Sequence, residues 1–251
     1  QNAGITTQDP EFLKALLEFP ALPAGRFGKE GSYGWGVAIG GQLFQKIINK
    51  LGKKPLLILD VGADWCWSTH QLARAGHQVV ALDINKEHLK QAGIFLDKKI
   101  FFERVQADMN NLPICDNIFD VVIAIAAVHH ATDLKHTLKE FYRVLRPRGK
   151  VILLREPVRG KYIDENNFGR QEKTVGIHET APTLLQWQQA FQGPGFDFLC
   201  EISLLNFLIA GFNPIILLKS LKRRILTLPW IGKMLQQFTI TDFNFYGIKR
   251  K

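Results

Sequence analysis

The stretch from Pro55 to Asp83 constrains the fold of this 251-residue chain more than any other. It opens with a short apolar run, Leu56 to Leu59, which is typical of a strand buried on both faces of a parallel sheet. A turn of small residues at Gly62, a helical segment and a second apolar run follow. This order, with a carboxylate at the end of the second strand, is the sequence pattern of a nucleotide-binding βαβ unit. It predicts that Asp83, about 20 residues after the turn, binds a ribose hydroxyl.

The segments after Asp83 distinguish two cofactor families that share this layout. Further predicted elements follow in order: strands Ile100 to Val105, Val121 to Ile125 and Val151 to Leu154, and a helix Leu134 to Leu145. An acid and an apolar residue, Asp108 and Met109, come just past the first of these strands. This series of motifs resembles the class I S-adenosylmethionine-dependent methyltransferases of the type 11 kind, over residues 55–157. Binding of NAD is the alternative, and the single glycine of the turn weighs against it.

The resemblance implies the fold and its division along the chain. The expected fold is a doubly wound α/β domain around a mostly parallel, seven-stranded, Rossmann-like sheet, whose last strand is antiparallel. Residues 1–54 are expected to form an N-terminal helical extension on the core, and residues 55–157 the cofactor-binding core. Residues 158–251 are expected to supply a substrate-side lid, a helical insertion and the closing strands of the same domain.

The resemblance also implies a cofactor, S-adenosyl-L-methionine, bound at the carboxyl ends of the strands. The implied contacts are Asp60 and Gly62 at the methionine part, Asp83 at the ribose, Asp108 at the adenine amino group and Met109 against the adenine ring. Three further residues are expected in the same site: Ala63, Ile84 and Ile125.

The glycine turn is where the chain departs from the family pattern. The usual form is acid-x-Gly-x-Gly-x-Gly, and here Asp64 and Cys66 stand at the second and third glycine positions. Glycine serves such turns because it permits a positive φ and a close approach of the ligand. Asp64 tolerates left-handed backbone, but its charge is expected near the cofactor's carboxylate. The departure leaves open a non-catalytic methyltransferase-like module that binds the cofactor or a partner.

Candidate catalytic residues lie just past the fourth and fifth strands. Methyl transfer needs positioning and, for some acceptors, a base. We predict His129 or His130 as this base and Glu156 as a carboxylate of the same rim; the alternative is a histidine that caps a helix or packs under a loop. His178 and Glu179 are expected either to join them or to form a structural ion pair. Because the sequence offers no compact cluster of ligands, no metal site is predicted.

Net charge and composition limit the classes of molecule that the protein is expected to bind. The net charge of +9 permits attraction to phosphates or anionic lipid, but no basic motif interleaved with stacking aromatics predicts nucleic-acid binding. We therefore expect a small-molecule acceptor, such as a sugar, a lipid-linked group or another anionic metabolite. Three scattered cysteines and a polar N-terminus without a signal-peptide pattern predict reduced thiols in the cytoplasm.

A basic segment precedes the final predicted strand. Residues 202–241 contain no acid, while five basic residues lie among them: Lys219, Lys222, Arg223, Arg224 and Lys233. Apolar residues at helical spacing predict an amphipathic helix within residues 204–233. Two interpretations remain open, a helical cover over the substrate side and weak contact of residues 215–233 with an anionic membrane surface.

Overall fold

The computed structural model describes residues 44–169, 173–174, 176–202, 237–238 and 240–250. These residues belong to two compact units, one ending at Gln106 and the other beginning at Ala107. The predicted basic helix and most of the predicted N-terminal extension lie outside the described residues, so both stay predictions. Within the described part of the chain, no helix is both long enough and apolar enough to cross a membrane.

The first unit is built on parallel strands in the order β3-β2-β1. Its strands are β1 (Leu57–Val61), β2 (Gln78–Asp83) and β3 (Glu103–Gln106). Its helices are α1 (Thr69–Arg74), α2 (Lys86–Gln91) and α3 (Ile94–Asp97), with residues 44–51 also helical. Helix α1 ends at Arg74, and Gly76, whose φ is 92°, then reverses the chain into β2. The second helix begins after Asn85, whose side chain accepts the amides of Glu87 and His88.

The second unit carries the strand order β4-β5-β7-β6. Its strands are β4 (Phe119–Ile125), β5 (Leu145–Arg159), β6 (Phe196–Ile202) and β7 (Ile240–Lys249). Its helices are α4 (Leu134–Val144) and α5 (Leu184–Gln192), with 3₁₀ turns at Val128–His130 and Glu165–Asn167. Strands β4 and β5 are parallel, whereas β7 runs antiparallel to both β5 and β6.

The seven strands confirm the predicted mostly parallel sheet, including its antiparallel last strand. The largest difference is in β5, which was predicted as Val151 to Leu154 but spans Leu145–Arg159. A register shift against β7 lies between Leu153 and Glu156, where Arg155 has a φ of 59°. This bulge redirects the side chains that follow it, and Glu156 is fully buried as a result.

An aromatic cluster holds the far end of β5 in place. The indole of Trp187 on α5 stacks on Phe245 of β7 with ring centroids 4.6 Å apart. Its Nε1 donates a 3.3 Å hydrogen bond to the main-chain oxygen of Pro157, directly after the bulge. A capping box between Thr183 and Gln186 fixes the start of α5. The end of β5 that carries Glu156 is therefore rigidly positioned.

Candidate active site

The turn after β1 keeps the backbone of a glycine turn although two of its three glycines are replaced. Gly62, Asp64 and Cys66 have φ values of 67°, 51° and 60°, so all three glycine positions of the family pattern are left-handed. The thiol of Cys66 is fully buried, and burial raises its pKa, so it is a neutral packing group and not a reactive thiolate. The amides of Gly62 and Ala63 both donate to the main-chain oxygen of Leu82, at 2.9 and 3.1 Å. The turn is thereby fastened to the end of β2.

The charge at Asp64 has a partner within the first unit. Its carboxylate Oδ1 lies 2.5 Å from Nδ1 of His88, whose ring stacks on Trp65 at a centroid distance of 4.0 Å. The sequence suggested that this charge lies near the cofactor's carboxylate. Pairing with His88 gives the carboxylate a favourable interaction and offsets the repulsion that a bound anionic group would otherwise meet.

Asp83, at the end of β2, has the hydrogen bonds expected of a ligand-binding carboxylate. Its Oδ1 accepts the amide of Asn85 at 2.7 Å, and its Oδ2 accepts the amide of Asp64 at 2.8 Å. Burial raises its pKa, although these two amide hydrogen bonds act in the opposite direction. Because a carboxylate oxygen can accept two hydrogen bonds, each oxygen retains a position for a ligand hydroxyl. These features fit a ribose-binding role.

Asp60 is buried at the end of β1 and accepts hydrogen bonds from the segment that follows the turn. It is 1% exposed, and its Oδ2 accepts hydrogen bonds from the hydroxyls of Ser68 and Thr69 at 2.7 and 2.6 Å. Burial raises its pKa to about 6, and the two hydroxyls only partly counter that effect. Ala63 is also buried, whereas Ile84 is 69% exposed just past β2. Asp60 thus fixes the start of α1 through the two hydroxyls.

The second unit places its three predicted cofactor residues along β4 and the segment before it. Asp108 Oδ1 accepts both the main-chain amide and the side-chain amide of Asn110, at 2.8 and 2.7 Å. The side-chain oxygen of Asn110 in turn accepts the amide of Asp133 and the hydroxyl of Thr137, at 3.1 and 2.9 Å. The two remaining residues are half-buried: Met109 and Ile125. Asp108 is therefore held by a network that reaches the N-terminus of α4.

Glu156 supports the 3₁₀ turn that carries the two histidines. Its Oε1 accepts the amides of Ala127 and Val128, both at 3.0 Å. Its Oε2 accepts the amide of His129 at 3.1 Å and lies 2.7 Å from Nδ1 of the same residue. Because these four interactions fill the acceptor positions of the carboxylate, Glu156 positions His129 and has no capacity left to take a proton from an acceptor.

His129 is enclosed between two carboxylates. It is 7% exposed, with Nδ1 against Glu156 and Nε2 3.4 Å from Oε1 of Glu179. Burial disfavours its charged form, but the hydrogen bonds and charges of the two glutamates outweigh burial and raise its pKa to about 9. A histidine that is protonated at neutral pH is a poor general base. It can instead stabilise negative charge.

His130 and His178 hold two loops together by reciprocal hydrogen bonds. Nδ1 of His130 lies 2.9 Å from the main-chain oxygen of His178, and Nδ1 of His178 lies 3.1 Å from that of His130. The hydroxyl of Thr180 adds a 2.6 Å hydrogen bond to the oxygen of His129. Glu179 pairs with both neighbouring histidines of the 3₁₀ turn; its Oε2 lies 2.9 Å from Nδ1 of His130. Its partners are therefore His129 and His130, and not its sequence neighbour His178.

An open cavity of about 760 Å³ adjoins this cluster within the second unit. His178, Glu179 and Thr180 form one part of its lining. Charged residues of both signs form much of the rest: Arg159, Asp164, Glu165 and Lys173. Its volume lies within the usual range for small-molecule sites.

The sequence assigned no firm role to three residues that support the histidine cluster or the network around Asp108. Glu179 was one candidate among several, and neither Thr180 nor Asn110 was singled out. The polar pair His178-Glu179 in a segment of weak periodicity was the available signal for the first two. For Asn110, the available signal was its position two residues after Asp108, just past a predicted strand.

The comparison with protein families places residues 59–153 in a family described as a methyltransferase domain. A sterol 24-C-methyltransferase from Gibberella zeae is 34% identical over 108 residues, which is 41% of this chain and 28% of that protein. A malonyl-[acyl-carrier protein] O-methyltransferase from Buchnera aphidicola is 33% identical over 95 residues, which is 38% of this chain and 37% of that protein. The chain thus aligns with well under half the length of either relative.

Solved structures show the same fold. Phosphoethanolamine N-methyltransferase 2 from Haemonchus contortus, solved in complex with S-adenosyl-L-methionine, superposes with a TM-score of 0.63 at 20% identity. The superposition covers 84% of this chain and 53% of that one. At this identity the likeness establishes the architecture, and the chemistry has to be argued from the residues described above.

Proposed function

Residues 59–153 are a class I S-adenosylmethionine-dependent methyltransferase domain, and from this premise we propose that the protein transfers a methyl group from S-adenosyl-L-methionine to a small-molecule acceptor. The cofactor supplies the electrophilic methyl group. The protein supplies orientation of the reactants and the electrostatic surroundings of the transfer.

The hydrogen bonding of Asp83 is the observation that carries this proposal. Its carboxylate ends β2, receives one amide from the turn and one from Asn85, and keeps an acceptor position on each oxygen. Paired hydroxyls of a ribose suit such a carboxylate. In the second unit, Asp108 accepts two hydrogen bonds on Oδ1, and its Oδ2 accepts none from the described residues. That oxygen suits the adenine amino group.

Calorimetric titration of the purified protein with S-adenosyl-L-methionine tests this site. Replacing Asp83→Ala removes hydrogen bonds to a charged acceptor, so the dissociation constant should rise by about 10- to 100-fold. Asp97→Ala, which removes an exposed acid of the same unit, should leave the affinity unchanged. Equal affinities of all three proteins would place the cofactor elsewhere, and binding of NAD in its place would support the dinucleotide alternative.

For the acceptor we propose a polar small molecule that carries an anionic group. The relatives named above act on sterols and on malonyl-[acyl-carrier protein], and the structural neighbour on phosphoethanolamine. The lining of the cavity in the second unit supports a polar acceptor over a sterol, because Arg159, Lys173 and His178 stand among acids there. Cations of this kind can bind a phosphate or a carboxylate.

Formation of S-adenosylhomocysteine with a panel of acceptors tests this assignment. Phosphorylated amines, sugar phosphates and sterols should be offered in parallel, and turnover should be confined to the anionic compounds. Turnover with sterols alone would overturn the polar assignment. Tight cofactor binding without turnover on cell extract would favour the non-catalytic alternative, which rested on Asp64 and Cys66; the left-handed backbone at both positions now weighs against it.

The two histidines have different roles in this proposal. His129, with its raised pKa, lies between Glu156 and Glu179 and positions the loop that carries it, whereas the side chain of His130 is 38% exposed and accessible to an acceptor. His130 is therefore the better candidate for a base. The replacement His130→Gln should lower kcat for an acceptor that loses a proton, with little change in cofactor affinity.

A further inference from the structure

The cluster of His129, His130 and Glu179 has a feature that methyl transfer does not require. Each residue offers one ligand atom, and these three atoms all lie within 4.8 Å of one another. We propose that these three side chains bind a divalent cation of the Zn²⁺ type. The sequence predicted no metal site because Glu179 is far along the chain from the histidines, and only the fold brings the three together.

A hydrogen bond determines which ring nitrogen of His129 can act as a metal ligand. Nδ1 of His129 lies 2.7 Å from the carboxylate of Glu156, which can only accept when ionised. That nitrogen therefore carries a hydrogen, so Nε2 is the nitrogen that can bind a cation once the metal has displaced its proton. In many zinc sites a carboxylate accepts a hydrogen bond from one nitrogen of a histidine whose other nitrogen binds the metal, and Glu156 would orient the ring of His129 in this way.

The distance from His129 to Glu179 is suited to a shared cation. Nε2 of His129 is 3.4 Å from Oε1 of Glu179, so the two atoms face each other across a positive charge, which is a proton in the metal-free protein and a metal ion in the bound one. A hydrogen bond from an imidazolium to a carboxylate is normally about 2.7–2.9 Å long. Two tetrahedral ligands, each about 2.0–2.1 Å from one zinc ion, lie about 3.4 Å apart. The observed separation is long for a hydrogen bond and equals the distance between two ligands of one zinc ion.

Glu179 also has an acceptor that the described residues do not satisfy. The residue is 8% exposed, and its Oε2 accepts no hydrogen bond within the described part of the chain. Nδ1 of His130 is 2.9 Å from this oxygen but equally close to the main-chain oxygen of His178. A buried carboxylate oxygen without a hydrogen bond is unfavourable, and ligation of a cation would remove that penalty.

The three ligand types favour one class of cation, and their number leaves one coordination position of that cation open. Two imidazoles and one carboxylate favour Zn²⁺ and related transition metals over Mg²⁺ and Ca²⁺, which prefer oxygen ligands. Three protein ligands are the number found in catalytic zinc sites, where the fourth position holds water or substrate. Glu179 and its neighbour Thr180 line the cavity of the second unit, so an acceptor oxygen could reach this position. Metal binding does not require the proposed methyl transfer, but with the cation bound His130 is a ligand and no longer a base.

Calorimetric titration with ZnCl₂ tests the proposal without reference to activity. The metal-free, tag-free protein should carry Cys115→Ser throughout, because that exposed thiol could bind zinc on its own. One zinc ion per chain should bind, and Glu179→Gln should weaken binding by about 10-fold or more. His130→Gln should do the same, whereas His136→Gln, an exposed histidine on α4, should leave the affinity unchanged.

The remaining measurements separate loss of ligation from loss of folding. Thermal unfolding of each zinc-free variant identifies any protein that fails to fold, and Glu179→Asp provides a second variant that keeps the carboxylate. A parallel titration with MgCl₂ should give no binding under the same conditions. Absence of zinc binding to the parent protein would overturn the proposal and leave a proton shared by His129 and Glu179. Zinc affinity that is unchanged in both Glu179→Gln and His130→Gln would overturn it equally, since the ion would then sit elsewhere.

Discussion

The main-chain amide of Asp64 donates a 2.8 Å hydrogen bond to the carboxylate of Asp83, joining the turn after β1 to the end of β2. This bond depends on the left-handed backbone of Asp64, whose φ is 51°, and not on its side chain. The turn can therefore lose two of its three family glycines and still orient the carboxylate. What the position requires is a residue that tolerates a positive φ.

The first prediction concerns Asp64 itself. Asp64→Gly should retain cofactor affinity, because the amide and the backbone geometry are preserved. Asp64→Ala should lower the free energy of unfolding relative to the glycine variant by about 1–2 kcal/mol, the cost of a left-handed L-residue. Urea denaturation of the two variants measures the difference, which is unaffected by the shared loss of the His88 contact.

A matched pair at Lys99 controls for this prediction. Lys99 also has a positive φ, 59°, but its side chain is exposed and it lies after α3. Lys99→Gly and Lys99→Ala should differ in the same direction, with no effect on cofactor binding. An alanine variant of Asp64 as stable as the glycine variant would contradict the strain argument.

The second prediction is a pH dependence that originates at Asp60. Its pKa is about 6 in the folded protein against 3.8 for an ordinary aspartate, because burial disfavours the charged form. The folded state therefore binds this proton more tightly, and the stabilisation is lost as the pH rises from about 3.8 through about 6. Asp60→Asn should gain stability relative to the parent protein by about 2–3 kcal/mol between pH 4 and pH 7.5.

Urea denaturation of the cofactor-free proteins across this pH range measures that difference. Ser68→Ala should enhance the pH dependence of the parent protein, because it removes a hydroxyl that favours the ionised carboxylate. Parallel stability curves for Asp60→Asn and the parent protein would show that the pKa of Asp60 is the same in the folded and unfolded states, and the burial argument would be wrong.

The sequence predicted the strands of the sheet but not the side-chain contacts that the bulge in β5 and the loops make. Apolar runs such as Leu56 to Leu59 identify buried parallel strands, since both faces of such strands exclude polar residues. Asp83 was assigned correctly to the end of a strand because the carboxylate terminates such a run. Glu156 was expected at the rim, but the left-handed Arg155 shifts the register and turns the carboxylate inward. A bulge of this kind leaves no periodic signal.

The contact of Glu179 with His129 was equally inaccessible to sequence reasoning. It depends on the path of a polar segment with no apolar period, which is set by hydrogen bonds such as that from the Thr180 hydroxyl to the main-chain oxygen of His129. The cofactor side of the molecule was therefore easier to predict than the histidine cluster, because strands and their ends carry periodic signals and loop paths do not.

The third prediction tests Glu156 as a support of the 3₁₀ turn. Glu156→Ala would leave the amides of Ala127, Val128 and His129 without their shared acceptor in a buried site. Each unsatisfied buried amide costs about 1–3 kcal/mol, so the free energy of unfolding should fall by about 3 kcal/mol or more. Glu156→Gln keeps one oxygen for two of these amides and should lose less.

Chemical denaturation provides the measurement, with Glu87→Ala as the control. Glu87 is exposed and pairs with Lys90 within one helix, so its loss should leave the free energy of unfolding close to that of the parent protein. A loss below about 1 kcal/mol for Glu156→Ala would mean that water replaces the carboxylate, and the supporting role would be wrong.

The last prediction uses two glycines that share a left-handed backbone but differ in their surroundings. Gly169 has a φ of 61°, and a Cβ placed there would lie 1.9 Å from Cγ and 2.6 Å from Cβ of Glu179. Gly176 has a φ of 81°, and a Cβ there would meet nothing within 4 Å. Alanine at either position should cost about 1–2 kcal/mol for the left-handed backbone. Gly169→Ala must in addition displace Glu179.

Comparison of the two alanine variants isolates the effect of moving Glu179. Gly169→Ala should be less stable than Gly176→Ala by about 1 kcal/mol or more, the usual cost of overpacking a filled site. It should also weaken zinc binding by about 10-fold or more, because Glu179 leaves its place opposite His129, while Gly176→Ala should bind zinc as the parent protein does. Urea denaturation and zinc titration measure the two quantities separately. Equal stability of the two variants would show that Glu179 moves aside at little cost. The structure would then not hold Glu179 in a fixed position opposite His129.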